Sequence, residues 1–213
     1  MPVPLVLASA SPARLATLRS AGIEPRVVVS QVDEDAALEA ARAGDPALSA
    51  AGAAIALARA KAEEVAANHA LGALVLGCDS ILDFEGKWLG KPGDADVARA
   101  RWRDMRGRSG VLHTGHWLVD GRDPAGAGTG RAVGDTASTT VWFADLSDAE
   151  VDAYVATGEP LAVAGGFTVD GLGGPFVERI EGDHHNVVGL SLPLLRHLCS
   201  LLGVGIPELW SRP

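Results

Sequence analysis

The sequence contains only two cysteines, Cys78 and Cys199, in 213 residues. Neither belongs to a Cys-x-x-Cys pair or to a zinc-type spacing, which excludes a disulfide framework and a cysteine-built metal knuckle. Long apolar runs are also missing: the best candidates, such as residues 71–78, have strand length and fall short of the roughly 18 residues of a membrane span. Basic charge is scarce. Lys and Arg total 18 against 27 for Asp and Glu, a net charge of −9, which disfavours a broad footprint on nucleic acid. Residues 3–8 are apolar and run into Ala8-Ser9-Ala10, but the first cation is Arg14, so the basic start of a signal peptide is lacking and a reducing cytoplasm is the expected setting. Neither Gly-x-x-x-x-Gly-Lys-Ser/Thr nor Gly-x-Gly-x-x-Gly occurs, which weakens Walker ATPase and dinucleotide oxidoreductase readings.

What is present is the composition of an ordinary globular chain, 47% hydrophobic and 21% charged, with 26 Gly and 12 Pro. One domain over residues 1–213 is expected. Residues 3–8 read as a buried strand, and Ser11-Pro12 as an N-cap with Pro at the first helical position. Residues 26–29 read as a second strand, and residues 49–69 as a long Ala-rich helix. Residues 73–78 form a third strand, followed by a hairpin around Glu85-Gly86-Lys87 and a helix from Asp94 to about Gly107. Residues 111–119 and 136–144 look like paired strands around a Gly-rich stretch, 120–135, the expected mobile loop. Ser147 with Glu150 is a capping box, residues 176–180 form a strand, and residues 191–202 the last helix. Strands alternate with helices, so the fold class is α/β with a mixed sheet.

Chemistry concentrates in a few segments. Ser9-Ala10-Ser11-Pro12-Ala13-Arg14 sets two hydroxyls and free helix N–H groups at a strand end with a cation one turn inside, a design for anions. A helix cap beside a solvated arginine explains the same residues equally well. Asp79 directly follows an apolar strand, where crevices of α/β sheets lie, although a turn aspartate is the plainer account. Asp33, Glu34 and Asp35 stand at another strand exit, and carboxylates facing Asp79 would suit Mg²⁺. Lys61 interrupts the Ala-rich helix, and Gly90 and Pro92 fix the backbone around Lys91; either could be a surface lysine. His113 and His116, three apart on a strand, face opposite ways and cannot share a metal. His184-His185 lacks ligand spacing and reads as surface loop, and Cys78 as a buried, inert thiol.

Taken together, the segments from about Leu7 to Leu202 resemble the Maf family of nucleoside triphosphate pyrophosphatases. Residues 9–14 are similar to its Ser-x-Ser-Pro-Arg-Arg motif, Asp33-Glu34 to its Asp-Glu, residues 57–62 to its Leu-Ala-x-x-Lys-Ala, Cys78-Asp79-Ser80 to its Ala-Asp-Thr, and Gly90-Lys91-Pro92 to its Gly-Lys-Pro. Residues 139–143, 154–159, 164–165, 181–183 and 186–190 continue the pattern. The resemblance implies a twisted mixed sheet with flanking helices in two lobes around a central cleft, as in Maf and ITPase-like folds. It implies hydrolysis of a nucleoside triphosphate, possibly a modified one, to the monophosphate and pyrophosphate with Mg²⁺ or Mn²⁺, by a cytoplasmic homodimer engaged in nucleotide-pool house-cleaning. Asp79 is then the proton acceptor, with Lys91 and Glu34 the other catalytic residues, Glu34 and Asp79 the metal ligands, Ser9, Ser11, Arg14, Lys61 and Lys91 the phosphate binders, and Ser80 and Asp170 further substrate-binding residues. Departures exist: Ala13 replaces the first Arg of the pair, Ser80 a Thr and Gly110 a His, while Val163 and Asp170 stand where the dTTP- and UTP-preferring branch has Lys and Gln. Asp170 as an acceptor-only group suits the N1–H and N2–H₂ edge of guanine. A non-catalytic nucleotide-binding regulator of septation on the same fold is the rival, but a base beside a metal is superfluous in a binding module.

Overall fold

The computed structural model describes residues 2–69 and 72–211. Strand β1 (Leu5–Leu7) leads into helix α1 (Pro12–Ser20), started by Pro12 and by the Ser11 hydroxyl, which accepts from the Arg14 N–H. After β2 (Arg26–Val27), Asp33 caps α2 (Glu34–Gly44), and Ser49 caps the 19-residue α3 (Ala50–Asn68), whose alanines have the highest helix propensity. Strand β3 (Leu74–Phe84) turns into β4 (Lys87–Leu89) through Glu85-Gly86, both at positive φ (52° and 79°), as a two-residue type I′ hairpin requires. Helix α4 (Ala95–Met105), strands β5 (Ser109–Asp120) and β6 (Ala132–Phe143), and α5 (Asp148–Ala156) follow, the last with the Ser147–Glu150 capping box formed on both sides. Strand β7 (Val177–Glu181), the five-residue α6 (His184–Val188) and α7 (Leu192–Leu201) complete the order.

The strands form one sheet in the order β2-β1-β3-β5-β6-β7, with β4 paired to β3. β1 is parallel to β2 and β3, and the remaining pairs are antiparallel. This is the expected mixed sheet with flanking helices. Helix α3 lies directly on β3 and β5 because Gly77 and Gly115 leave it room: a Cβ at 77 would sit 2.2 Å from the Ala58 carbonyl oxygen, and one at 115 would sit 2.4 Å from the Ala54 carbonyl. Ala54, Ala58 and Ala62 on the facing side of α3 are fully buried.

Of four apolar clusters among the described residues, the two largest meet along β3. One gathers Leu7, Leu18, Leu76 and Cys78 with Leu195 and Leu198 of α7. The other gathers Leu82, Met105 and Phe143 around Trp102, whose ring meets Phe143 and Tyr154 edge to face at 5.6 and 5.5 Å. β3 runs through both, so Asp79 and Ser80 lie on the stretch between Cys78 of the first core and Leu82 of the second.

Several expectations need correction. Asp79 is inside a strand and not at its exit, because β5 pairs with β3 continuously from Leu74 to Asp83 while β1 covers only Leu74 to Leu76. The acidic residues 33–35, expected at a strand exit, cap and open helix α2. The Gly-rich connection is shorter than expected, since β5 reaches Asp120 and β6 begins at Ala132. Its ends are fastened by the buried Asp120 carboxylate, which accepts from Arg122 Nε, Thr129 N and Thr129 Oγ1 at 2.7–2.8 Å. His184-His185 is the first turn of α6, not a loop.

Candidate active site

Helices α2 and α3 and strand β3 bring three side chains of opposite charge to one point. Lys61 Nζ donates to Asp79 Oδ1 at 2.6 Å and lies 2.8 Å from Glu34 Oε1. Lys61 and Asp79 are nearly buried, at 12% and 13% exposure, whereas Glu34 at 56% forms the open side. Lys61 can reach Asp79 because its helix rests on the two sheet glycines. Partial burial pushes the Glu34 carboxyl up, but the hydrogen bond and charge of Lys61, with the fields of Lys91 and Arg14, outweigh it and hold the group below its ordinary range. Asp33, by contrast, spends its carboxylate on the Ala36 N–H as a helix cap.

Arg14 is turned inward. Its Nε donates to the Gly189 carbonyl at 2.8 Å, Nη1 to the Cys78 carbonyl at 2.8 Å and to Ser9 Oγ at 3.1 Å, and Nη2 to Ser80 Oγ at 3.1 Å. The solvated-cation account of Arg14 therefore fails, and the guanidinium instead sets the positions of two hydroxyls beside Asp79. Ser9 Oγ also accepts from the Ser11 N–H, while Ser11 Oγ serves as the α1 cap. Ser80 Oγ continues to Thr114 Oγ1 at 2.9 Å, and Thr114 donates to the Asn186 carbonyl at 3.2 Å. Thr114 carries no motif of its own, whereas Asn186 opens the 186–190 segment of the family pattern. Thr114 stands opposite Ser80 in the β3–β5 register, a relation that only strand pairing reveals.

Lys91 is exposed and makes no hydrogen bond or ion pair among the described residues, so its ammonium is unengaged while its charge still reaches Glu34. Its turn is held by the Gly90 carbonyl, which accepts from Arg101 Nη1 at 2.6 Å and the Gly165 N–H at 3.3 Å. Asp170 lies on an exposed bend and bonds to nothing among the described residues. The bend is organised by Glu159, whose carboxylate accepts from Tyr154 Oη, Thr168 Oγ1, Leu172 N and Gly173 N. At Gly110 a Cβ would begin 3.0 Å from Leu82 Cδ1 and 3.1 Å from the Asp83 carbonyl oxygen, so there is little space here for the histidine of the family pattern.

The remaining sequence candidates fall outside the cluster. His116 is buried, its Nδ1 bonded to the Thr114 carbonyl and its Nε2 accepting from Ser191 N, while His113 faces Ser138. Burial raises the Cys78 thiol to about 12, so it is inert as a nucleophile.

A divalent metal fits the donor set. Glu34 and Asp79 are hard oxygen ligands, each with a second carboxylate oxygen that takes no hydrogen bond among the described residues, and both converge on one cation position now served by an ammonium.

Comparison with known proteins gives this geometry a context. The model of the Maf-like protein family matches residues 4–202. The chain belongs to that family. A nucleoside triphosphate pyrophosphatase of Streptomyces coelicolor is 56% identical to this Maf-like chain over 208 residues, 97% of this chain and 94% of that protein. One of Salinispora tropica is 55% identical, covering 100% and 89%, and one of Leifsonia xyli 54%, covering 98% and 97%. The solved dITP/XTP pyrophosphatase of Mycobacterium abscessus, at 18% identity and a TM-score of 0.30 over 67% of this chain and 75% of that one, is too loosely similar to add to this.

Proposed function

We propose that this Maf-like chain hydrolyses a nucleoside triphosphate at the α–β phosphoanhydride, releasing a nucleoside monophosphate and pyrophosphate. The observation that carries the reading is the Glu34–Lys61–Asp79 cluster, a buried carboxylate held by one ammonium at 2.6 Å with a second, exposed carboxylate at its mouth. Asp79 takes the proton of the attacking water as its oxygen bonds to the α-phosphorus, and the bond from that phosphorus to the bridging oxygen breaks. Lys61 holds the Asp79 carboxylate in place for that task and neutralises charge as it grows on the phosphoryl oxygens. Ser9 and Ser80, oriented by Arg14, and the N–H groups at the start of α1 hold the phosphates, with the free ammonium of Lys91 closing on them from outside. Glu34 and Asp79 would hold Mg²⁺ or Mn²⁺, which supplies charge neutralisation of the triphosphate.

The base preference we assign to Asp170 is guanine-type, GTP or a modified GTP, over dTTP and UTP. The net charge of −9 argues against nucleic acid as a substrate, and none of the described helices is long and apolar enough to cross a membrane. Family resemblance supports a cytoplasmic homodimer, which light scattering of the purified chain tests. The deciding experiment for the activity is a triphosphate panel with Mg²⁺ or Mn²⁺ in which phosphate products are resolved. Metal-dependent pyrophosphate release is expected; stepwise loss of orthophosphate, or full turnover in EDTA, would overturn the assignment.

A further inference from the structure

Asp183, His184 and His185 form a group the hydrolytic reading leaves unused, with one ligand atom from each lying within 4.8 Å of the others. His185 Nδ1 is 3.2 Å from Asp183 Oδ1, and the centroids of the two imidazole rings lie 3.8 Å apart with their planes tilted by 37°. Neighbouring ligands about 2.0–2.1 Å from a metal ion stand roughly 2.8–3.0 Å apart in octahedral and about 3.3–3.4 Å apart in tetrahedral coordination, so the Asp183–His185 pair already has a separation between the two. The second oxygen of Asp183 is buried and takes no hydrogen bond among the described residues. A buried carboxylate oxygen without a donor calls for water or a cation. His184 is exposed, leaving the group open on one side.

The geometry points to a binding site for a borderline-soft divalent ion such as Zn²⁺, formed by Asp183, His184 and His185 and separate from the hard-oxygen pair Glu34 and Asp79. Imidazole nitrogen selects such ions over Mg²⁺, and three protein ligands leave a position for water. The site stands on its three side chains and not on the helix terminus, whose N–H groups favour anions. To bind, the His185 ring gives up its Nδ1 proton and carries one at Nε2 instead, so the metal replaces the present hydrogen bond to Asp183. Gly189, which caps α6, accepts from Arg14 Nε through its carbonyl, so the helix that carries the site is tied to the Ser9–Arg14 loop.

The test is titration of the full chain with Zn²⁺, and with Co²⁺ as a visible-absorption probe, in millimolar Mg²⁺ that occupies the carboxylate pair. Imidazole ¹H–¹⁵N spectra follow the individual rings. A single equivalent is expected to bind, moving the His184 and His185 resonances. His184→Ala and His185→Ala should each weaken it at least about tenfold, as loss of a site residue does. Asp183→Asn keeps the helix cap and should weaken binding likewise, and Glu34→Gln should leave it unchanged. Circular dichroism checks each fold, and the exposure of His184 makes His184→Ala the safe variant. Absence of binding at millimolar Zn²⁺, binding indifferent to both histidine substitutions, or binding lost in Glu34→Gln would overturn the site.

Discussion

Gly77→Ala tests how the packing of α3 governs the chemistry. The new methyl would stand 2.2 Å from the Ala58 carbonyl oxygen, 2.8 Å from the Ala62 nitrogen and 2.9 Å from the Ala62 Cβ. It would thus press on one helical N–H···O=C bond of α3 beside Lys61. Backbone atoms cannot rotate aside, so α3 must retreat by on the order of 1 Å to regain van der Waals separation. Overpacking of this kind costs about 1–3 kcal/mol, and removing a strand-interior glycine returns roughly 0.5–1 kcal/mol. A net loss of about 1–2 kcal/mol corresponds, for a chain of this size, to a Tm lower by about 2–8 °C. Asp79 shares the α3-facing side of β3 with residue 77, so the retreat also draws Lys61 from its 2.6 Å contact with Asp79. A misplacement near 1 Å can cost up to about 10²-fold in turnover. The assay is thermal melting with pyrophosphate-release kinetics, beside Gly44→Ala, where a Cβ meets nothing within 4 Å and stability should hold or rise. A Gly77→Ala protein melting at or above wild type, with kcat/KM within about twofold, would refute the reasoning.

Other outcomes follow from the same geometry. Asp79→Asn should lower kcat by roughly 10²-fold or more with the fold intact, and near-normal turnover in a folded variant would remove Asp79 as the base. Lys91→Ala should weaken both triphosphate affinity and turnover, and an unchanged kcat/KM would reject its role. His116, pushed down to about 4 by burial, is neutral when folded and binds a proton near pH 6.5 when unfolded. Its contribution is therefore complete above about pH 6.5 and is lost as pH falls toward 4, on the order of 2–4 kcal/mol. Urea unfolding across that range reads it, and a His116 ring titrating near 6.5 by NMR would contradict it. Asp170→Gln should move the kcat/KM ratio away from GTP and 7-methyl-GTP and toward dTTP and UTP, and unchanged ratios would remove Asp170 from base selection.

Legibility in the sequence follows the range of the interaction. Ser49, Asp94, Ser147 with Glu150, and Ser191 all begin helices where a capping residue precedes a helix-forming run, because a cap is satisfied within three residues. Helix α2 is harder to see: it has no fully buried residue to impose a period, and Asp33-Glu34-Asp35 reads as a carboxylate cluster at a strand exit. The continuation of β3 past Asp79 depends on β5, some thirty residues away, and no local signal contains it. Of the site, the residue types at Glu34, Lys61 and Asp79 were readable as motif and charge. The inward clamp of Arg14 and the Ser80–Thr114 contact were not, since each joins segments that only the folded sheet brings together; the Asp183–His185 group is local, but His184-His185 reads as a loop until the turn of α6 is seen.

The tie between Arg14 and the Gly189 carbonyl spans 175 residues. A ribosome adding about 5–20 residues per second exposes the first partner roughly 10–35 s before the second is made. Until then the guanidinium lacks its outer anchor, and the hydroxyls it orients are unset. Contacts of such sequence separation also slow folding, because loop-closure entropy is met before the contact rewards it. The nascent chain thus carries the Ser9–Arg14 segment from the start yet sets its geometry only when its last quarter folds back onto its first helix.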